Sequence, residues 1–213
     1  MRITGSLWSV PAEEQARRLT GAAAAGLAVA HWDSTDGEFA VQGGFSPESA
    51  RRVLDSSTPI ESEAHLMLND PRSSIPAWAE FCSQIVVPIE IELARQAVAL
   101  IERLGRQPAL AVSLQTSLRE VPADYPILLM SIEPGQAGSA FEPAVIPRIS
   151  ELRERERNPL LGVDGGVGAA QFAELGRAGA NWIVSGTSLF AAPDPAEWLG
   201  GCETAFAEAH ARA

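Results

Sequence analysis

Short runs rich in Val, Ile and Leu alternate along this chain with longer stretches in which apolar residues recur every three or four positions. The first kind predicts strands buried on both faces, the second predicts helices with one covered side. Eight strand runs can be counted: Arg2–Leu7, Leu27–Asp33, Ile60–Leu66, Gln84–Pro88, Ala109–Ser113, Ile127–Ser131, Leu160–Asp164 and Trp182–Gly186. Strands separated by helical segments predict an α/β fold with a parallel sheet.

Two helices are marked most clearly. Leu93, Ala97, Leu100, Ile101 and Leu104 repeat at helical spacing, and Gly105 supplies a stop. Near the end of the chain Asp194 is placed as an N-cap, with Pro195 at the first helical position, Glu197 completing a capping-box pattern, and Trp198, Cys202 and Phe206 along one side. Eight such units over residues 1–213 predict one domain, a single (β/α)8 TIM barrel, since ~200 residues is the lower end for that fold. An open doubly wound sheet is the alternative.

Composition narrows the partners. A net charge of −11 argues against nucleic acid or an anionic membrane surface as a partner, because both demand clustered cations. An anionic ligand would then have to be held by local features. No apolar run is long enough to span a bilayer and the start lacks the apolar stretch of a secretory signal, so a soluble cytoplasmic protein is expected. Cys82 and Cys202 are far apart and lack metal-site spacing, which leaves them as ordinary thiols.

The candidate chemistry gathers at the carboxyl ends of the strand runs, where barrels of this kind build their sites. Ser6 ends the first, His31 and Asp33 the second, His65 the third and Asp164 the seventh. Residues two apart on a strand face the same way, so His31 and Asp33 can both point inward while Trp32 points to the helices. Imidazole and carboxylate together suit one divalent ion, Zn2+, Fe2+ or Mn2+. A core histidine bonded to a neighbouring carboxylate is the competing reading of His-x-Asp. Glycines follow the last three strands: Gly135 and Gly138, Gly165 and Gly166, then Gly186 beside Thr187. Such loops can bring backbone N–H groups to a phosphate, although each alone also serves as a tight turn. The charged run Arg153–Arg157 reads as a solvated helix end, His210 as exposed and the five tryptophans as packing residues.

Taken together, the motifs resemble those of the ribulose-phosphate 3-epimerase family over nearly the whole chain. ITGSLWS is similar to the family's opening strand, AHWDSTDGEF to HxDxMDGxF, and EAHLML to DxHLMV. LLMSIEPGQAGSAF is similar to LLMSVxPGFGGQxF, GVDGGV to EVDGGV, and IVSGTSLF to the phosphate loop VAGSAIF. The resemblance implies a ribulose-phosphate-binding barrel in which His31, Asp33, His65 and Asp164 hold the metal. It also makes Asp33 and Asp164 the acid and base, has Ser6 orient the site, and puts Met67 and Met130 near the reacting carbon. Substrate contacts would come from Ser6, His65 and the loops bearing Gly135, Gly138, Ser139, Gly165, Gly166, Gly186 and Thr187. The implied reaction inverts C3 of a ketose phosphate, D-ribulose 5-phosphate to D-xylulose 5-phosphate, through an enediolate. A homo-oligomer is expected because barrels of this type commonly associate.

The chain also departs from the pattern. Ser34 and Thr35 replace an apolar residue and a methionine, which predicts a more polar lid. Pro88 stands in place of a histidine at the end of the fourth strand. AVSLQTSL lacks the Asn-Pro of the fifth-strand motif, though Thr116 aligns. The Gly135–Ser139 loop has lost one glycine and a glutamine. These changes predict a divergent active enzyme and leave two alternatives: an epimerase of a ketohexose 6-phosphate such as allulose 6-phosphate, or a sugar-phosphate-binding barrel without turnover. The chain contains no lysine, which excludes a Schiff-base aldolase.

Overall fold

A computed structural model describes residues 1–155 and 160–211, with side chains through Ala209. Eight parallel strands close into a barrel in sequence order: β1 (Arg2–Ser6), β2 (Val29–Thr35), β3 (Glu61–Met67), β4 (Gln84–Pro88), β5 (Gln107–Val112), β6 (Ile127–Met130), β7 (Leu161–Asp164) and β8 (Trp182–Ser185). Each expected strand run is present to within two residues at either end. The pairing of β1 with β8, Ile3 opposite Ile183, closes the ring and excludes the open sheet.

The helices are α1 (Gln15–Ala24), α2 (Pro47–Asp55), α3 (Ile75–Ala79), α4 (Ala94–Arg103), α5 (Val145–Glu154), α6 (Phe172–Ala178), α7 (Thr187–Phe190) and α8 (Pro195–Ala211). Between β5 and β6 the connection holds only a 3₁₀ turn, Leu118–Glu120. Pro122 and Pro126 follow that turn and would each remove a helical hydrogen bond. At α2, Ser46 and Ser49 exchange side chain–backbone bonds in a capping box. Asp194 caps α8 by accepting from the amides of Ala196 at 2.8 Å and Glu197 at 3.2 Å.

Side-chain alternation divides the apolar residues into two cores. The larger lies between strands and helices and includes Trp32, Leu66, Ile85, Ile127 and Ile183. The smaller fills the barrel itself with Val86, Ala109, Ala111, Leu128, Met130, Trp182 and Val184. Within it Trp182 faces Gly162, where a Cβ would sit 2.6 Å from the indole. Trp32 does point outward and meets Phe45 edge to face at 5.0 Å. On the closing helix Cys202 and Phe206 are buried and Trp198 packs edge to face on Phe172 at 5.1 Å.

Three expectations need correction. Leu104 is not part of the buried face of α4: it is the C-cap residue, 40% exposed, and Ala97, Val98 and Ile101 form the covered side. The charged run beginning at Arg153 is not simply solvated. Arg153 Nε donates to the Gly179 carbonyl at 2.9 Å and Arg155 Nη1 to that of Leu118 at 2.6 Å, so both tie α5 to neighbouring turns. Arg157 and the side chain of His210 lie outside the described residues. Thr35 does not offer a polar lid either. Its hydroxyl accepts from the Gly43 amide at 2.6 Å and faces the carbonyls of Val41 at 2.8 Å and Gly43 at 3.1 Å, which fastens the loop after β2 upon itself. Ser34, which unlike Thr35 is buried, pairs with Gly44 across that loop. Among the described residues no helix is long and apolar enough to cross a membrane.

Candidate active site

Inward-facing positions near the carboxyl ends of β2, β3 and β7 bring His31, Asp33, His65 and Asp164 together. One donor atom from each lies within 4.8 Å of the others. His31, Asp33 and His65 are buried, whereas Asp164 keeps some exposure towards the barrel mouth. His31 Nε2 lies 3.1 Å from Asp33 Oδ1 and 3.9 Å from Asp164 Oδ2. His65 Nδ1 lies 3.3 Å from Asp33 Oδ1 and 3.4 Å from Asp164 Oδ2. On the other side of Asp33, the Ser6 hydroxyl donates to Oδ2 at 2.6 Å.

Two features of this cluster fit a divalent cation. Both ring nitrogens of His65 are buried without a hydrogen-bond partner, although two carboxylates stand beside Nδ1. Buried polar atoms are rarely left unpaired, so the position between His65, Asp33 and Asp164 suits an ion better than it suits protein alone. The two-imidazole, two-carboxylate donor set also matches the chemistry of first-row divalent ions.

The electrostatics are mutual. Burial alone would lower the pKa of His31. The charge of Asp33, with hydrogen bonds to Asp33 and Glu63, outweighs burial and raises it well above the ordinary imidazole value. Burial likewise opposes protonation of His65, but Asp164 and Asp33 raise its pKa. For Asp33 burial favours the neutral acid, yet the two histidines hold its carboxyl well below the usual range.

A cavity of about 310 Å³ opens above the cluster, and Asp33 and Asp164 both line it. Met67, Met130 and Ile132 supply apolar wall. Ser6, Gly135, Gly138, Ser139, Gly165, Gly166, Gly186 and Thr187 all reach the same space, so the three glycine loops do converge on one face. Gly166 has φ +62°, and a Cβ there would lie 2.5 Å from the Phe141 amide nitrogen. His31 sits below the cavity floor, and His65 borders a small adjoining recess that includes Phe39, Pro88 and Glu90. Glu90 is bonded to the Ser113 amide at 2.8 Å and the Thr116 hydroxyl at 2.5 Å, so Thr116 braces a loop and does not line the cavity.

Sequence reasoning missed several residues. Trp8, Ser9, Val167 and Ser188 also line the cavity, with the Ser9 and Thr187 hydroxyls 3.0 Å apart. More consequential is Glu63, wholly buried, whose Oε1 meets His31 Nδ1 at 2.7 Å and whose Oε2 accepts from Arg2 Nη2 at 2.6 Å. An ionisable residue two positions before His65, on the same inward face of β3, was the available signal.

Comparison with known proteins identifies a family. Residues 2–190 match the model of the ribulose-phosphate 3 epimerase family. The ribulose-phosphate 3-epimerase of Aquifex aeolicus is 35% identical over 205 residues, covering 90% of this chain and 88% of that protein. The enzyme of the same name from Synechocystis sp. is 30% identical over 186 residues, covering 80% of this chain and 79% of the other. Among solved structures, 3-hexulose-6-phosphate synthase from Salmonella typhimurium superposes with a TM-score of 0.73 over 99% of this chain and 100% of its own, at 14% identity, a likeness of fold alone. A family match over residues 2–190, two relatives at 30% identity or more and a closed barrel lead to one conclusion: the chain belongs to the ribulose-phosphate 3-epimerase family, whose members are isomerases.

Proposed function

We propose that this protein is a metal-dependent epimerase that inverts C3 of a pentulose phosphate, interconverting D-ribulose 5-phosphate and D-xylulose 5-phosphate. The observation that carries the reading is the pair Asp33 and Asp164, both lining the cavity and both part of one four-donor cluster. Inversion needs a proton removed from one face of the carbon and another delivered to the opposite face, and two carboxylates flanking the substrate supply both roles.

His31, Asp33, His65 and Asp164 would hold one divalent ion. When bound, the ion supplies positive charge close to the substrate oxygens on which negative charge develops. Ser6 fixes the rotation of the Asp33 carboxylate, leaving Oδ1 turned to the histidines. Met67, Met130 and Ile132 keep the reacting carbon against apolar surface, which strengthens the electrostatic terms there. Among the described residues no arginine lines the cavity. The phosphate is therefore held by backbone amides of the Gly165–Gly166 and Gly186–Thr187 turns together with the hydroxyls of Thr187, Ser188 and Ser9.

The test is proton exchange by NMR. Metal-loaded protein in D2O with D-ribulose 5-phosphate should exchange the C3 proton and accumulate xylulose 5-phosphate, and Asp164→Asn should abolish both. Exchange only with allulose 6-phosphate would move the reading to a ketohexose 6-phosphate. No exchange with either would leave a sugar-phosphate-binding barrel without turnover.

A further inference from the structure

A chain of charged groups runs from the four-donor cluster down the inside of the barrel. Below His31 stands Glu63, its side chain without solvent exposure, and below Glu63 stands Arg2, whose side chain is 26% exposed. Arg2 also donates through Nη1 to Gln84 Oε1 at 3.2 Å, and its guanidinium lies 5.8 Å from the ring centroid of Trp182. Together these side chains close the barrel floor.

A carboxylate in this position is unexpected on packing grounds. Barrel interiors of this type are filled mainly with branched apolar side chains, and removing a carboxylate from water is costly even when it is paired. Glu63 is instead committed at both oxygens, one to a metal-site histidine and one to an arginine. With Nδ1 of His31 taken by Glu63 at 2.7 Å, Nε2 is the nitrogen turned to Asp33 and Asp164. A carboxylate bonded to the far nitrogen of a ligating histidine fixes its tautomer and ring orientation and strengthens it as a donor.

We propose that Glu63, anchored by Arg2, is a positioning residue that holds His31 with Nε2 directed into the four-donor cluster and thereby sets the affinity of the site for a divalent ion. The inference rests on the metal-site reading given under Proposed function. Glu63 does not touch the cavity and takes no part in proton transfer to substrate. Arg2 fixes the lower oxygen of Glu63, so the upper one cannot swing away from the imidazole.

The test uses Co2+ with chelator-stripped full-length protein. Affinity is read by competition with a chelating indicator and coordination by the visible absorption of the bound ion, with melting temperatures of the metal-free proteins in parallel. Glu63→Gln should weaken Co2+ binding roughly ten- to hundred-fold and alter the visible spectrum. Arg2→Met, which leaves the Glu63–His31 pair in place, should weaken it by a smaller factor. Variants that melt lower yet bind Co2+ as tightly as the parent, with the same spectrum, would show that the chain only supports the barrel floor and would overturn the inference. If Glu63→Gln does not fold, Arg2→Met decides: weakened binding supports the relay, unchanged binding overturns it. A parent protein that binds neither Co2+, Zn2+ nor Mn2+ removes the metal-site reading itself. Tight binding by the parent with unchanged variants removes this inference alone.

Discussion

The hydroxyl of Ser6, at the end of β1, donates to Asp33 Oδ2 at 2.6 Å while Asp33 Oδ1 faces His31 and His65. The two oxygens of one carboxylate thus have separate environments, one fixed by a neutral donor and one turned to the imidazoles. A hydrogen bond to a charged group contributes about 1.5–3 kcal/mol. At about 1.4 kcal/mol per factor of ten, Ser6→Ala should lower kcat roughly ten- to hundred-fold. KM should change much less, because under the proposed mechanism the lost bond orients Asp33 and does not grip the phosphate. Steady-state kinetics that separate the two constants check this.

Stability of the metal-free protein should depend on pH in a defined direction. His31 and His65 have pKa values raised above 6.5, so they stabilise the fold fully below about pH 6.5 and lose that contribution as pH rises through the raised values. Asp33 is depressed below 3.8, so its contribution is present above that pH and is lost on acidification. The melting temperature of chelator-treated protein should therefore be highest between about pH 4 and 6.5 and fall on either side. A divalent ion should raise it most at neutral and alkaline pH, with proton release on binding. Thermal denaturation from about pH 4 to 9 with and without ion measures both effects.

Two glycines should respond oppositely to alanine. At Gly166 the backbone is left-handed, φ +62°, and a Cβ would press on Phe141 and Ser139, so Gly166→Ala should destabilise by about 1–3 kcal/mol and raise KM by displacing the loop after β6. Gly200 lies exposed in α8, and nothing stands within 4 Å of where an added methyl would point, so Gly200→Ala should stabilise by about 0.5–1 kcal/mol and leave kinetics unchanged. Denaturant unfolding of both variants checks the signs.

The thiols should be silent. Cys82 and Cys202 are fully buried, and burial pushes Cys202 up to about 12 and Cys82 higher. Native protein at about pH 8, below both thiol values, should release no colour from a disulfide reagent within minutes, whereas guanidinium-unfolded protein should titrate two thiols. A reactive thiol in the native state would contradict the packing of the segment that enters β4 or of α8.

The barrel is legible in the sequence because its strands are buried on both faces and so read as apolar runs, while period-2 alternation fixes which residues face inward. His31, Asp33 and His65 can be placed together by that rule. The short β5–β6 connection is not legible, since the periodicity around Leu118 is too brief to separate a helix from a turn. Thr35 misleads because residue type reports that a hydroxyl is present and not which backbone groups capture it. Glu63 escapes notice for a similar reason: at a strand position beside exposed Glu61 it reads as surface charge, and only barrel closure brings His31 and Arg2 to its two oxygens. Arg153 and Arg155 make the same point, because their carbonyl partners lie 26 and 37 residues away.

The pairing of Trp182 with Gly162 inside the barrel has a consequence for how this sequence can change. One side chain occupies the volume that two neighbouring strands would otherwise share, and the opposite position has none. Adding a methyl at 162 drives it into the indole and against Leu128, and trimming Trp182 alone opens a void, so each single step is unfavourable, whereas the double exchange relieves the indole clash. The two positions are therefore coupled: a sequence carrying this tryptophan leaves it by single substitutions only through a less stable intermediate.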